Sequence, residues 1–282
     1  MRWANRMRRA PFLCLPRTHI PLPVFTKGEL FMNITQSFYD KMAPQYDKLF
    51  ADWHAATQEQ AAMLDRLFAD RGLSKNATVL DCACGIGTQC LGLAKLGYAV
   101  TASDLSQGAL AEARKRAAEK NLSISFQQAD FCALSETFSQ CFDIVMVMDN
   151  ALPHMLTPSD LERAVKSMLG QVKQGGLLIA SIRDYDELLT HKPPCSSPYI
   201  HQTPKGQKVS FQTWTWRGDN YRLVQYIIDD EDTLNISKFE CEYRATCREE
   251  LTSLLLCHGC SRVHWLFPCE TGFYQPIVIG QK

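Results

Sequence analysis

The sequence predicts an α/β fold: a parallel sheet covered by helices on both faces, with an antiparallel β-sheet inserted towards its end. Three observations predict it. Short apolar runs at 78–82, 99–103, 123–127, 143–148 and 177–182 alternate with helical stretches around 89–96, 106–120 and 159–172. Such alternation marks a parallel sheet buried on both sides. After Ile182 the rhythm stops, and 209–216, 221–229 and 238–246 read as antiparallel strands, the first two joined by a Gly218-Asp219-Asn220 turn. Finally, glycines and acids stand at predicted strand ends, where sheets of this kind bind ligands.

Taken in order, residues 1–31 are expected to be a disordered or untranslated extension. The first 28 residues hold five Arg and one Lys without an acid, as a mitochondrial transit peptide would. They contain no Ser, however, and Pro11, Pro16, Pro21 and Pro23 break any amphipathic helix. Codons for Lys27-Gly28-Glu29 also read as a purine-rich ribosome-binding site just ahead of Met32, so translation is expected to begin there. A native peptide spanning Arg17 to Lys27 would overturn that. Between Thr35 and Arg71, apolar residues at helical spacing such as Ala62, Met63, Leu67 and Phe68 predict two helices meeting near Pro44 or Trp53. Residues 32–282 are read as one domain with an insert at about 185–246, closed by a helix at about 248–257 and strands at 262–267 and 274–279.

Composition narrows the class. With 282 residues and 46% apolar content the chain can bury a full core. Its apolar runs are far shorter than the roughly 18 residues of a membrane span, so a soluble protein is expected. Residues 32–282 carry 24 basic and 29 acidic side chains, which is not the basic footprint of a nucleic-acid binder. Twelve cysteines are too sparse for a disulfide scaffold and suit reduced thiols in a cytoplasmic enzyme. Cys257 and Cys260 have zinc or redox spacing, but there is no second such pair. The reading preferred here is a helix end with Gly259 as its stop.

Residues 79–88, VLDCACGIGT, place a strand end, an acid, a GxG turn and a helix start in one line. Gly85 and Gly87 let the backbone approach a ligand lying across the strand ends. A dinucleotide fingerprint would want a Gly at position 90, where this chain has Cys90, and would not require Asp81. Asp104 ends the second strand 19 residues after Gly85, where an acid can bind both hydroxyls of a ribose. NAD and adenosyl cofactors share that arrangement. Asp130-Phe131 after the third strand offers an acceptor and a ring suited to an adenine edge and face. The competing roles are a helix N-cap for Asp104 and a turn for Asp130.

In this order and spacing, VLDCACGIGT, SDLS, QADF and KQGGLL resemble the class I S-adenosylmethionine-dependent methyltransferases. The resemblance implies a Rossmann-like seven-stranded sheet. It places Asp81, Gly85 and Gly87 near the methionyl moiety, Asp104 on the ribose, Asp130 and Phe131 at the adenine, and Met148 among the cofactor residues. Further segments resemble glycine N-methyltransferase and bacterial glycine/sarcosine N-methyltransferases: Gln45-Tyr46-Asp47, Asn150 and His154 in DNALPH, Arg183 to Asp186, LVQYI at 223–227, and 237–243. This implies a small amine or amino-acid substrate, with an antiparallel lid over the cofactor mouth. That family assembles in some cases through N-terminal segments, and the oligomeric state of this chain is left open.

The residue chemistry runs parallel. Arg183, just past a central strand, can hold a carboxylate by two hydrogen bonds, and in the resembled family the matching Arg does so. The competing role is a surface ion pair with Asp184 or Asp186. Asn150 can accept from a substrate amine or contact the cofactor, or simply form a turn before Pro153. Tyr226 and Tyr243 match tyrosines that line the family's substrate pocket, against plain sheet packing. His154 reads as a positioning group before a general base. Trp214 and Trp216 share one strand face and serve either a cation or cross-strand packing. Where the family has an Arg for the cofactor carboxylate, this chain has Gln58, Glu59 and Gln60, leaving Tyr46 and Trp53 to close over the methionyl end. No metal is expected. The rival functions are methylation of another small carboxylate or amine, an NAD oxidoreductase, and a binding protein that holds the cofactor without chemistry.

Overall fold

Alternating apolar residues on β1 (Thr78–Asp81), β2 (Ala99–Asp104), β3 (Ser125–Gln128), β4 (Phe142–Val147) and β5 (Val172–Ser181) join into one parallel array. In the computed structural model, which describes residues 27–203 and 205–282, β10 (Arg262–Leu266) and β11 (Ile277–Gln281) complete a seven-stranded sheet. Its order is β10-β11-β5-β4-β1-β2-β3, with β11 antiparallel to both neighbours. Successive side chains on a strand face opposite ways. Leu80, Val145 and Leu178 therefore enter one core cluster, while Val79, Ile144 and Leu177 enter the other.

The helices start where side chains can cap them. Helix α1 (Lys27–Met42) runs into a 3-10 turn, Ala43–Leu49, at Pro44, and α2 (Trp53–Ala69) is capped by Asp52, which accepts from the Ala55 N–H at 3.0 Å. After α3 (Cys90–Lys95), α4 (Gln107–Glu119) is capped by Ser106 and α5 (Pro158–Gly170) by Thr157. These hydroxyls satisfy amides that the first helical turn leaves open. Two helices frame the insert: α6 (Tyr185–His191), capped by Asp184, and α7 (Arg248–Cys257). Helix α7 ends at the expected Gly259, whose φ is +110°. A short α8 (Pro268–Thr271) precedes the last strand.

The insert is a four-stranded antiparallel sheet in the order β6-β7-β8-β9: Tyr199–Thr203, Gly206–Arg217, Asn220–Asp229 and Asn235–Arg244. Sequence patterning foretells three of these strands. It misses β6, whose residues are mostly exposed and carry no alternation, and it misses α6. On β8 and β9, Tyr221, Leu223, Cys241 and Tyr243 face inward and join the same cluster as Leu80 and Val145. Helix α1 packs on β9, with Phe38 edge-on to Phe239, and a Lys48–Asp229 ion pair ties the end of β8 to the 3-10 turn. The first helix starts ahead of the expected Thr35. The expectation for residues 1–26 of the extension lies outside the described residues. None of the described helices is long and apolar enough to cross a membrane.

Candidate active site

Beyond the C-terminal ends of β1, β2 and β4 opens a cleft of about 300 Å³. Asp104 closes β2 there. Its two oxygens accept from the Gly85 and Ser106 N–H groups, each at 2.8 Å. Gly85 reaches that carboxylate with φ at +52°, a conformation costly for any residue with a Cβ. Burial raises the Asp104 pKa to about 6, against the opposing pull of those amides. Since Ser106 caps α4, Asp104 is free of the N-cap role. Asp130 does hold its turn, accepting from the Cys132 N–H at 2.9 Å, and it also lines the cleft with Phe131, Met148 and Tyr46.

Three expected cofactor residues line neither this cleft nor the cavity beside it. Asp81 lies two residues after Val79 and so points to the same face, fully buried, its pKa raised by burial against the pull of the Ala83 and Cys90 amides. Gly87 serves packing: a Cβ there would lie 2.7 Å from Leu91 Cδ1, and its φ is +98°. Trp53 is buried as a strut, donating from Nε1 to Thr88 Oγ1 at 3.2 Å while the Arg116 guanidinium lies 4.4 Å from its ring centroid.

A larger cavity of about 1070 Å³ adjoins the cleft and shares Tyr39, Tyr46 and Asp149 with it. Arg183 lies on its wall, half-buried. The guanidinium donates from Nη1 to the Tyr221 hydroxyl at 2.9 Å and from Nη2 to Gln212 Oε1 at 2.8 Å. It sits 5.1 Å from the Trp214 centroid and 5.7 Å from that of Tyr243. Asp184 and Asp186 pair with Arg248 instead, so among the described residues no carboxylate neutralises Arg183. Desolvation opposes its charge, while the Tyr221 hydroxyl that accepts from it favours the charged form, and on balance its pKa is raised.

Asn150 lines the same cavity at 2% exposure. Its Oδ1 accepts from the Arg183 N–H and the Tyr185 hydroxyl, both at 3.1 Å, which leaves Nδ2 as a buried donor without a partner. Asn150 and the preceding Asp149 have φ of +67° and +56°. Two adjacent left-handed residues that are not glycine store strain of the kind found at working sites. Asp149 is held by Gln89 Nε2 at 2.8 Å and the Tyr274 hydroxyl at 2.7 Å, and Gln89 also donates to Gln60. Gln60 and Glu59 of the expected Gln58-Glu59-Gln60 run line the cavity wall.

His154 is neutral and occupied. Its Nδ1 donates to the Glu242 carbonyl at 3.2 Å, so Nε2 accepts from the Tyr39 hydroxyl at 2.9 Å, and burial lowers the ring's pKa to about 4. Tyr39 in turn meets the Tyr243 hydroxyl at 3.3 Å. Tyr243 lines the cavity as expected, whereas Tyr226 does not: it faces away from Tyr221 and stacks on Phe211 with centroids 5.0 Å apart. Trp214 reaches the cavity, while Trp216 packs on Tyr221 at 4.5 Å and donates to the Pro193 carbonyl. Sequence reasoning passed over Tyr39, Asp149, Tyr185, Gln212 and Tyr221. Only Asp149 carried a local signal, its place directly after β4.

The arrangement, a ribose-type acid at the end of β2 and a second cavity under an inserted lid, matches known proteins. Residues 79–176 match the family model described as a methyltransferase domain. Residues 79–176 are thus similar to that domain, and S-adenosylmethionine is the cofactor that goes with it. The half-buried Asp104 carboxylate and the Phe131 ring of the cleft fit such a group. The chain is 29% identical over 154 residues to the glycine/sarcosine N-methyltransferase of Parasynechococcus marenigrum, covering 55% of this chain and 53% of that protein. It is 26% identical over 226 residues to the glycine N-methyltransferase of Homo sapiens, covering 72% of this chain and 75% of that protein. The chain thus spans about half the length of the first of these relatives. A crystal structure of an S-adenosylmethionine-dependent methyltransferase from Clostridium acetobutylicum shares the fold, with a TM-score of 0.67 at 19% identity over 86% of this chain and 97% of that one.

Proposed function

We propose that this protein transfers a methyl group from S-adenosylmethionine to the nitrogen of a small carboxylate-bearing amine, of the glycine or sarcosine type. One observation carries the reading: a half-buried arginine without an ionic partner among the described residues stands beside an unpartnered asparagine amide, on a cavity that shares Tyr39, Tyr46 and Asp149 with the cleft past the strand ends. A cation partly withdrawn from water asks for an anion, and a planar guanidinium suits a carboxylate. S-adenosylmethionine supplies the electrophilic methyl group when bound. Asp104, Gly85, Asp130, Phe131, Met148 and Tyr46 would hold it.

The chain's own work is positioning. Arg183 and Asn150 Nδ2 hold the acceptor's carboxylate, and Tyr243 with Tyr39 orients its nitrogen. Such pre-alignment is worth roughly 7 to 11 kcal/mol of a barrier. The amine has to arrive deprotonated, because His154 already spends both ring nitrogens. Its role is to fix Tyr39 and Tyr243. The test is mass spectrometry of the protein with S-adenosylmethionine and glycine, sarcosine or dimethylglycine. Methylated amino acid in step with S-adenosylhomocysteine is expected. Turnover only with an acceptor lacking a carboxylate overturns the reading, and cofactor that stays intact with every amine points to a binding protein.

A further inference from the structure

The cavity beside Arg183 is far larger than glycine needs. Its 1070 Å³ matches clefts that take drug-sized ligands, whereas glycine fills on the order of 100 Å³, a few waters' worth. The excess space has a chemical character. Away from the aromatic wall it is lined by Ser196, Ser210, Gln225 and His201 of the lid and by Glu187 of α6. His201 Nε2 is buried there without a hydrogen-bond partner. The cavity thus has two unpartnered buried polar atoms on its walls, Asn150 Nδ2 beside Arg183 and His201 Nε2 on β6.

Register gives the spacing of His201 from the strand position that grips Arg183. His201 pairs with Lys208 on β7, four residues before Gln212. Four residues along a strand and one strand across put the backbones of His201 and Gln212 roughly 14 Å apart, with both side chains on the same face. No small amino acid spans that. Resting on the function proposed above, we infer that the acceptor is an α-amino acid with a long polar side chain. Arg183 and Asn150 take its carboxylate, and the far end of its side chain bonds to His201.

The test compares kcat/KM for glycine and sarcosine with that for citrulline, glutamine and γ-glutamylglycine, in the protein and in His201→Ala. At least one long acceptor should exceed glycine by 10-fold or more. His201→Ala should cut that advantage about 10-fold through KM, leaving kcat, glycine turnover and the melting temperature unchanged. Gln202→Ala, on the same edge strand but outside the cavity lining, controls for damage to β6 and should change neither. Glycine used as well as every long acceptor overturns this inference alone, as does equal loss for both classes in His201→Ala. Turnover of no amino acid at all overturns it together with the function on which it rests.

Discussion

The cleft past the strand ends and the cavity under the lid meet at Tyr39, Tyr46 and Asp149 but are assembled differently. The cleft's floor comes from short segments at strand ends, Cys82 to Gly85 after β1, Asp104 at the end of β2, Asp130 to Cys132 after β3 and Met148 after β4, while α1, α5 and the lid residues Asn220 and Glu242 complete its walls. Each strand-end segment owes its position to a few residues of local chain. The cavity draws instead on α1, α2, α6, all four lid strands and the loop before β11. Its central cation is held by Tyr221 and Gln212, 38 and 29 residues away. A floor made of strand ends survives change elsewhere in the molecule. A cavity made of long-range contacts can be reshaped by the lid alone, which suits it to setting the acceptor.

Arg183→Ala should separate the two regions most sharply. Removing one partner from a buried, hydrogen-bonded charge site costs about 2 to 5 kcal/mol, so kcat/KM for a carboxylate acceptor should fall by about 30-fold to several thousand-fold. S-adenosylhomocysteine affinity, read by calorimetry, should stay within about twofold. An unchanged acceptor KM would remove Arg183 from its role.

Asp104→Asn should act on the other side. Loss of charge-assisted hydrogen bonds costs about 1.5 to 3 kcal/mol, and cofactor affinity should drop about 10- to 150-fold whatever the acceptor. Because burial holds the Asp104 pKa near about 6, wild-type cofactor affinity should rise with pH through that value and then level off. The Asn variant should show no such rise.

Smaller effects test the lid's facing. Tyr221→Phe removes the hydroxyl that Arg183 and Tyr185 share, and about 1 kcal/mol should raise acceptor KM about fivefold. Tyr226→Phe, on the opposite face, should change KM less than twofold. Equal effects would mean that the lid faces the site differently in turnover.

The smallest effect is a stability slope. The His154 ring titrates at about 4 in the folded chain and near 6.5 when unfolded. Between those values the unfolded chain binds more protons, so this group's contribution makes stability fall as pH falls. Asp104 contributes with the opposite sign between about 4 and about 6, since its folded form keeps the proton longer. Urea midpoints at pH 5 and 7 for His154→Gln and Asp104→Asn should therefore shift the slope in opposite directions.

Much of the sheet was legible because burial on both faces writes itself as apolar runs, and α7 was readable to the residue. The cleft's acids were legible because turn chemistry at strand ends is local. What escaped was short or exposed, as with α6 and β6, or depended on which face of a strand meets the site. Tyr226 and Tyr221 differ by an odd number of positions, so register alone sends one away from Arg183 and the other onto it. Trp53 and Gly87 have the right composition and neighbourhood, yet packing turns one into a strut and the other into a point of close approach to Leu91.

By itself, then, the sequence determined the alternating sheet, the glycine turn, the acid that ends β2 and the arginine past β5, since each is set by interactions within a few residues. Only the tertiary structure decided that Arg183 goes without an ion partner while Arg248 takes Asp184 and Asp186. It likewise decided that Asn150 keeps a free donor and that the lid leaves room for more than glycine. Those are competitions among groups far apart in the chain, settled only when the lid folds back onto the sheet and desolvates them together.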